Sequence, residues 1–239
     1  MTEVERKYLS KIIKNINNLK FEAKRVKIQG LLVSLYTMMK RMFVLGALVA
    51  LMVLPGCSQE KKSPSFDEVL TTRRSIRSYD ATKKISEAEV RELLTAVQEA
   101  PSWANQQPTK YYVAISPEKL AAVQDLVGGN KDRIKEAPVL IVSTFERGKS
   151  GFFRGNAANE AGDFWGAYDN GLSNCYLVLK ARAMGFDTLI MGMREADKLR
   201  QLFAIPDGEA VMAVIALGYR KGEPVQPRHK PLDDIVKFF

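Results

Sequence analysis

"YDNGLSNCYLVLKARAMGFDTLIMG", residues 168–192, combines a long helix pattern with a strand pattern that follows it directly. The helical segment is predicted to run from Asn159 to Met184. Gly185 is expected to end it, because glycine adopts the left-handed conformation found after a helix C-terminus. "DTLIMG" (187–192) reads as the strand. A helix that leads straight into an apolar strand indicates a mixed domain in which helices cover a sheet.

The segments on either side continue this alternation. Strands are predicted over residues 111–116, 137–145 and 210–219. Helices are predicted at "SEAEVRELLTAVQEA", "PEKLAAVQDLV" and "READKLRQLFA". Ser86 with Glu89, and Ser65 with Glu68, have the spacing of a capping box, and Pro117 suits a first helical position. Residues 66–239 are therefore predicted to form one α and β domain.

The charge of the chain is concentrated near its N-terminus. The formal net charge of the 239 residues is +9, but residues 1–57 carry 10 Lys and Arg against 3 acids. Residues 58–239 are nearly balanced, with 26 Lys and Arg against 24 acids, and they contain no nucleic-acid-binding motif. We therefore expect no nucleic-acid partner. A single histidine, His229, and two cysteines make a metal site unexpected.

Residues 39–57, "MKRMFVLGALVALMVLPGC", have the organisation of a signal peptide. Lys40 and Arg41 precede an apolar run of 12 residues, which is short for a membrane span and typical of a signal-peptide core. The run ends in Leu-Pro-Gly-Cys, which resembles a bacterial lipoprotein lipobox. The resemblance implies that Cys57 is acylated and becomes the mature N-terminus, with residues 58–65 as a tether. The expected location is the periplasmic or cell-surface side of a bacterial envelope.

Residues 1–38 precede this signal and allow two interpretations. Leu9, Ile12, Ile16 and Leu19 have helical spacing, so the segment could be a basic amphipathic helix at a membrane surface. Alternatively, translation starts at Met38 or Met39 and the segment is an upstream extension. The second interpretation is the one we prefer, because a signal peptide normally begins at its basic region.

Residues 72–80, "TRRSIRSYD", gather three arginines around Ser75, with a single acid at the end. An Arg-rich turn can be a solvated surface, but arginine also binds phosphates and carboxylates through planar, paired hydrogen bonds. The stretch therefore predicts an anionic ligand. Neither a GxGxxG turn after a strand nor a Walker loop is present, so no Rossmann or P-loop nucleotide site is indicated.

Four stretches together resemble the FMN-dependent nitroreductase family. "TRRSIRSYD" resembles its N-terminal signature, and "APSWANQQP" (100–108) resembles its Pro-Ser-x-x-Asn-x-Gln-Pro motif. Residues 168–192 resemble the long central helix of the family and the turn after it. The tail "PRHKPLDDIV" resembles its basic pair before a proline. The resemblance implies an α+β fold with a central, mainly antiparallel sheet flanked by helices, in an intertwined homodimer.

The resemblance also implies roles for individual residues toward FMN. Phosphate contacts fall to Arg73, Arg228 and Lys230, and ribityl contacts to Ser75, with Asn130 and Arg133 serving both groups. The ring is expected to lie near Arg77, Asn105, Ile190, Met191 and Gly192. Pro101, Ser102 and Trp103 would approach the partner subunit's flavin, and Gln107 completes their motif. Arg74 belongs to the signature but is expected on the opposite face of an extended stretch. Phe152 and Phe153 would line the substrate pocket or pack at the dimer interface.

The implied reaction is two-electron transfer from NAD(P)H through flavin N5 to a nitroaromatic, quinone or flavin-like acceptor. No side chain is expected to act as acid or base, since the cofactor carries the chemistry. Two other functions stay open at this point. One is a membrane-tethered flavin-binding module without turnover, and the other is a lipoprotein that binds an anionic ligand.

Overall fold

The structure, a computed structural model, describes residues 3–52 and 63–239, with side chains described for 3–42 and 63–239. Two compact units are present, Met1–Lys61 and Lys62–Phe239. The first contains one helix, α1 (Glu3–Met52), whose described side chains are exposed. Cys57 lies outside the described residues. Within the described part of the chain, no helix has both the length and the apolar character of a membrane span.

The second unit alternates helices and strands as the sequence predicts. Its helices are α2 (Phe66–Thr72), α3 (Glu87–Val97), α4 (Pro117–Gln124), α5 (Lys131–Ile134), α6 (Phe164–Ala183) and α7 (Ala196–Phe203). Its strands are β1 (Thr109–Ala114), β2 (Val139–Glu146), β3 (Phe152–Phe153), β4 (Asn156–Ala157), β5 (Asp187–Met191) and β6 (Glu209–Gly218). Short 3-10 helices occupy Trp103–Asn105, Gly128–Asn130 and Leu232–Asp234.

Four strands form the central sheet in the order β1-β2-β6-β5. Every neighbouring pair is antiparallel, so the predicted mainly antiparallel sheet is confirmed. At the β5 edge of the sheet, Ser75 and Thr188 form an isolated bridge in the parallel orientation. Strands β3 and β4 form a separate hairpin.

Helices cover both faces of the sheet because its central strands are buried on both sides. Successive residues of a strand point to opposite faces. Val139 and Ile141 therefore pack with α3 and α6, whereas Leu140 and Val142 pack against α4, α5 and α7. The result is three layers with the sheet in the middle.

Local sequence signals explain where several helices begin and end. Ser86 and Glu89 form the predicted reciprocal capping box of α3. For α2, Ser65 accepts a hydrogen bond from the Glu68 amide. Gly185 follows α6 with a φ of +84°, as predicted. Helix α6 starts at Phe164 rather than Asn159, because the Asn159 side chain accepts hydrogen bonds from the Ala161 amide and from an indole, which favours a turn there.

Candidate functional site

The arginine stretch, residues 72–80, lies along β5 and the residues that follow β6. Ile76 donates its amide to the Thr188 carbonyl at 2.9 Å, and Ser75 forms the parallel bridge with Thr188. Farther along the stretch, Tyr79 forms an antiparallel bridge with Arg220. The stretch is therefore extended and joins the edge of the sheet.

The side chains of this stretch are buried at two positions. Ile76 and Tyr79 are buried, whereas Ser75, Arg77 and Ser78 are exposed. Tyr79 packs against Gly218 so closely that a Cβ added there would lie 2.6 Å from the ring. Burial raises the pKa of the Tyr79 hydroxyl far above its usual range. Ser75 and Arg77 are therefore both accessible from solvent.

The three arginines of the stretch have no acidic partner among the described residues. Arg74 donates a hydrogen bond to the Arg73 carbonyl at 2.7 Å, and Arg77 makes one long contact, 3.4 Å, with the Ser75 carbonyl. Asp80 is held instead by Thr82, whose hydrogen bonds lower the pKa of the Asp80 carboxyl. Arg74 does not reach Asp80. Three uncompensated guanidinium groups thus lie together at one sheet edge.

A buried ion pair fixes the start of the arginine stretch. Asp187, 3% exposed, accepts two hydrogen bonds from Arg220, at 2.8 and 2.6 Å. The Arg220 guanidinium also donates to the Thr72 carbonyl at 3.1 Å, and Arg182 donates to the Thr72 hydroxyl at 3.1 Å. The hydrogen bonds to Asp187 raise the pKa of Arg220, so the guanidinium stays charged. Thr72, directly before Arg73, is therefore bonded to two arginines, Arg220 and Arg182.

Two predicted ring-binding residues lie where β5 ends: Met191 is its last residue, and Gly192 begins the turn that follows. Arg194 braces this turn by donating to the carbonyls of Gly192 (3.1 Å) and Val211 (2.6 Å). The 3-10 turn that carries Asn130 lies beside it, since a Cβ at Gly128 would meet the Met193 sulfur at 2.9 Å.

Asn130 ends this 3-10 helix, and Arg133 of α5 donates to its side-chain oxygen at 3.0 Å. The contact between this region and the turn after β5 is made by Gly128 and Met193. Ile190, in β5, is exposed whereas Met191 is buried.

The motif loop, residues 101–108, has a strained and well-braced backbone. Ala104, Asn105 and Gln107 all adopt positive φ, which non-glycine residues rarely do. The Gln107 amide donates to Ser102 Oγ at 2.9 Å, and the Gln107 side chain donates to Asn105 Oδ1 at 3.0 Å. Strain that persists in this way is characteristic of functional loops.

Asp169 of α6 holds the motif loop in place. This buried carboxylate accepts hydrogen bonds from the Trp103 amide at 3.0 Å and from the Ser150 hydroxyl. Trp103 itself is half-buried, and Pro101 is exposed. The loop is therefore tied to the N-terminal half of α6.

The motif loop and the arginine stretch contact different ends of α6. Asp169 holds the loop, while Arg182 holds Thr72 at the start of the stretch. Thirteen residues of α-helix separate these two contacts, a rise of about 20 Å. The two groups of predicted site residues are thus far apart within one chain.

The remaining predicted residues lie in exposed segments. Phe152 and Phe153 form β3 of the hairpin, and Arg154 stacks over the Phe153 ring at 5.2 Å. Arg228 and Lys230 are exposed in the C-terminal tail, and within residues 63–239 their side chains make no contact with the arginine stretch. The start of the tail, Lys221–Val225, does line a cavity of about 340 Å³ together with residues 75–78.

Helix α6 also presents an apolar face to solvent. Phe164 and Tyr168 are 78% and 61% exposed, and Tyr176 is 40% exposed. Cys175, a free cysteine, is also exposed on α6. The apolar pattern of α6 extends around the helix, so it does not reveal which residues face the sheet.

Sequence reasoning missed the residues that brace the site. Asp169, Asp187, Arg194 and Arg220 all act by holding a predicted segment in place, and their partners are distant in the sequence. Asp169 and Asp187 do lie inside a stretch that carries the family resemblance. In the sequence, each of these residues is an acid next to apolar residues. Because burying an unpaired charge costs free energy, such an acid indicates a hydrogen-bonding partner.

Comparison with known proteins agrees with this architecture. The Bacillus subtilis protein YdgI, which is provisionally named an NAD(P)H nitroreductase, is 25% identical over 206 residues, covering 74% of this chain and 99% of YdgI. An NADH dehydrogenase of Thermus thermophilus is 28% identical over 188 residues, covering 69% and 91% of the two chains.

Solved structures share the fold. An Exiguobacterium sibiricum protein in complex with FMN superimposes with a TM-score of 0.68 at 24% identity, covering 75% of this chain and 99% of that one. A nitroreductase family protein of Streptococcus pneumoniae gives 0.65 at 22% identity, covering 73% and 100%. The nitroreductase family model matches residues 70–219, more than half of the chain. The chain therefore belongs to the nitroreductase family.

Proposed function

We propose that this protein is an FMN-dependent oxidoreductase. It takes two electrons from NADH or NADPH and passes them to a small aromatic acceptor such as a nitroaromatic, a quinone or a flavin. Family membership, the names of the relatives from Bacillus and Thermus, and the FMN in the Exiguobacterium structure support this proposal.

The observation that carries the proposal is the group of arginines without acidic partners. Buried or half-buried charges are normally paired. Arg73 and Arg74 are half-buried, yet neither is in an ion pair within residues 63–239. A phosphate beside Arg73 would supply the missing negative charge there. The donor set thus fits the phosphate of FMN.

Each segment of the site then has a defined task. Arg73, with Arg228 and Lys230 from the tail, binds the phosphate, and Ser75 donates to the ribityl chain. Arg77, on the same side as Ser75, lies toward the ring edge, where a cation favours the reduced cofactor. The braced turn at Met191 and Gly192 supports the ring. FMN, when bound, supplies hydride acceptance and donation at N5.

The active form in this proposal is a homodimer. The arginine stretch and the motif loop contact α6 at points about 20 Å apart along its axis. Within one chain, these two groups of residues are too far apart to contact the same part of a ligand. A second copy would bring the motif loop of one chain to the arginines of the other. The exposed apolar face of α6, with Phe164 and Tyr168, is suited to burial between two copies.

Phe152 and Phe153 are proposed to line the pocket that NAD(P)H and the acceptor occupy in turn. The exposed Phe153 ring, covered by Arg154, offers a flat apolar surface with an adjacent cation. Such a surface suits planar, electron-poor or anionic aromatic acceptors.

We further propose that the protein is anchored to a bacterial envelope membrane through lipid on Cys57. The basic residues Lys40 and Arg41, the apolar run and the lipobox support this proposal. Mass spectrometry of the membrane-extracted protein should find a lipid-modified N-terminus at Cys57. An intact segment 1–56 on that protein would contradict the proposal.

Turnover is tested on the purified protein loaded with FMN. NADH or NADPH should bleach the flavin absorbance, and a quinone or nitroaromatic should restore it. A yellow protein that neither donor reduces would favour the flavin-binding module without turnover. A protein that binds phosphate but not FMN would favour an anionic-ligand-binding lipoprotein.

A further inference from the structure

The Asp187–Arg220 ion pair lies beside the arginine stretch but is separate from its proposed ligand-binding face. Arg220 contacts both ends of the stretch. Its guanidinium donates to the Thr72 carbonyl at 3.1 Å, and its backbone pairs with Tyr79. Arg220 therefore bonds to Thr72 and to Tyr79, and Arg73 and Arg77 lie between these two residues in the stretch.

Asp187 determines where Arg220 lies. The carboxylate is 3% exposed and accepts both a 2.8 Å bond from Nε and a 2.6 Å bond from Nη2 of Arg220. This bidentate geometry fixes the plane of the guanidinium as well as its position. The next residue, Thr188, bonds to Ile76 in the middle of the stretch. Two neighbouring residues of β5 thus fix the stretch at its start, middle and end.

A second arginine supports the same point. Arg182, in the last turn of α6, donates from Nε to the Thr72 hydroxyl at 3.1 Å and lies 3.6 Å from Asp187. Helix α2 ends at Thr72, so these contacts also fix where the helix stops and the extended stretch begins. The side chain of Arg73, the next residue, has no hydrogen bond or ion pair of its own among the described residues; only its backbone is bonded.

From these contacts we propose that Arg220, oriented by Asp187, is a positioning residue that places Arg73 against the phosphate of the cofactor. The proposal rests on the proposed FMN-dependent function. The Arg220 side chain bonds the stretch only at Thr72, directly before Arg73, whereas the pairing with Tyr79 is made by its backbone, so loss of the guanidinium is expected to affect the phosphate contact. A misplaced Arg73 weakens the binding of FMN but not that of riboflavin, which has the same ring and ribityl chain without the phosphate.

The test measures the dissociation constants of FMN and riboflavin for the full chain, freed of flavin, by fluorescence quenching. In Arg220→Gln the preference for FMN over riboflavin should fall about tenfold or more, the value of one charge-assisted contact. Riboflavin affinity should stay within about twofold. Arg220→Lys keeps the charge but not the planar fork, so it should restore only part of the preference.

The matched control is Glu209→Gln at the other end of β6. Glu209 is also a buried carboxylate, bonded to Tyr112 and Thr144, but it lies far along the strand from the arginine stretch. This variant should keep the wild-type preference for FMN. If it lowers the preference as much as Arg220→Gln does, a general loss of stability is the cause and the proposal is wrong.

A milder variant keeps the test informative if Arg220→Gln does not fold. Thr72→Val removes the hydroxyl that accepts from Arg182 and donates to the Glu68 carbonyl, but it leaves the Thr72 carbonyl that Arg220 contacts, and it should lower the FMN preference about two- to fivefold. An unchanged ratio in Thr72→Val and Arg220→Lys overturns the positioning role. A wild-type protein that binds neither flavin overturns the proposed function instead.

Discussion

Replacing Arg73 with alanine should weaken FMN binding without weakening the fold. Arg73 is half-buried, and among the described residues its side chain is in no ion pair, so its removal breaks no internal contact. The loss is one hydrogen-bonded charge pair with the phosphate, worth about 1.5–3 kcal/mol, or about ten- to a hundredfold in affinity. Isothermal titration of the flavin-free protein measures this change directly.

The neighbouring arginines are internal controls for this prediction. Arg74→Ala removes a contact with the Arg73 carbonyl only, so affinity should change by no more than about twofold. Arg77→Ala should lower the flavin midpoint potential as well as the affinity, because it removes a cation near the ring edge. If Arg74→Ala proves the most damaging of the three, or if Arg77→Ala leaves the potential unchanged, the placement of the stretch on the cofactor is refuted.

Three further predictions test the oligomer, the packing and the pH dependence. Tyr168→Glu places a charge on the exposed apolar face of α6, so sedimentation should show monomers and FMN binding should fall; a flavin-loaded monomer would argue against a shared site. Gly218→Ala puts a methyl group 2.6 Å from the Tyr79 ring, and urea unfolding should show a loss of about 1–3 kcal/mol. Burial raises the pKa of Tyr112 to about 12, whereas an unfolded tyrosine ionises near 10. The folded state retains the proton, so this contribution to stability is complete below pH 10 and is lost as the pH rises toward about 12. Tyr112→Phe should therefore lose less stability between pH 9 and 11 than the wild type, and equal losses would contradict the shift.

Much of the fold could be predicted because local signals agreed with the tertiary packing. The β5 and β6 strands lie within a residue of their predicted ends, and the Ser86 cap and Gly185 turn form as expected. Strand β1 begins two residues earlier than predicted, at Thr109, because its backbone pairs with β2 from there. Sequence patterns do not contain such pairings.

The site could be predicted only in part. The extended backbone of the arginine stretch agrees with the sequence interpretation, and Ser75 and Arg77 are both exposed. The motif loop adopts positive φ angles at residues that are not glycine, so the sequence does not indicate them. Asp187, the partner of Arg220, lies 33 residues away in the sequence. Contacts of this kind depend on the folded sheet, so they appear only in the structure.

The remaining site assignments stay predictions, and so does the lipid on Cys57. Arg228 and Lys230 lie in an exposed tail, and the roles of Phe152 and Phe153 depend on a partner chain and a substrate. Family membership and the antiparallel sheet are confirmed.

The stoichiometry and location of FMN test the central claim most directly. The visible spectrum of the purified protein, followed by release of the flavin with heat, should give one FMN per chain in a dimeric species. Mixed dimers of an Arg73→Ala chain and a Trp103→Ala chain should regain one intact site. That site combines the Arg73 of the second chain with the Trp103 of the first. A colourless protein that does not take up added FMN, or mixed dimers with no recovered binding, would contradict a flavin site built by two chains.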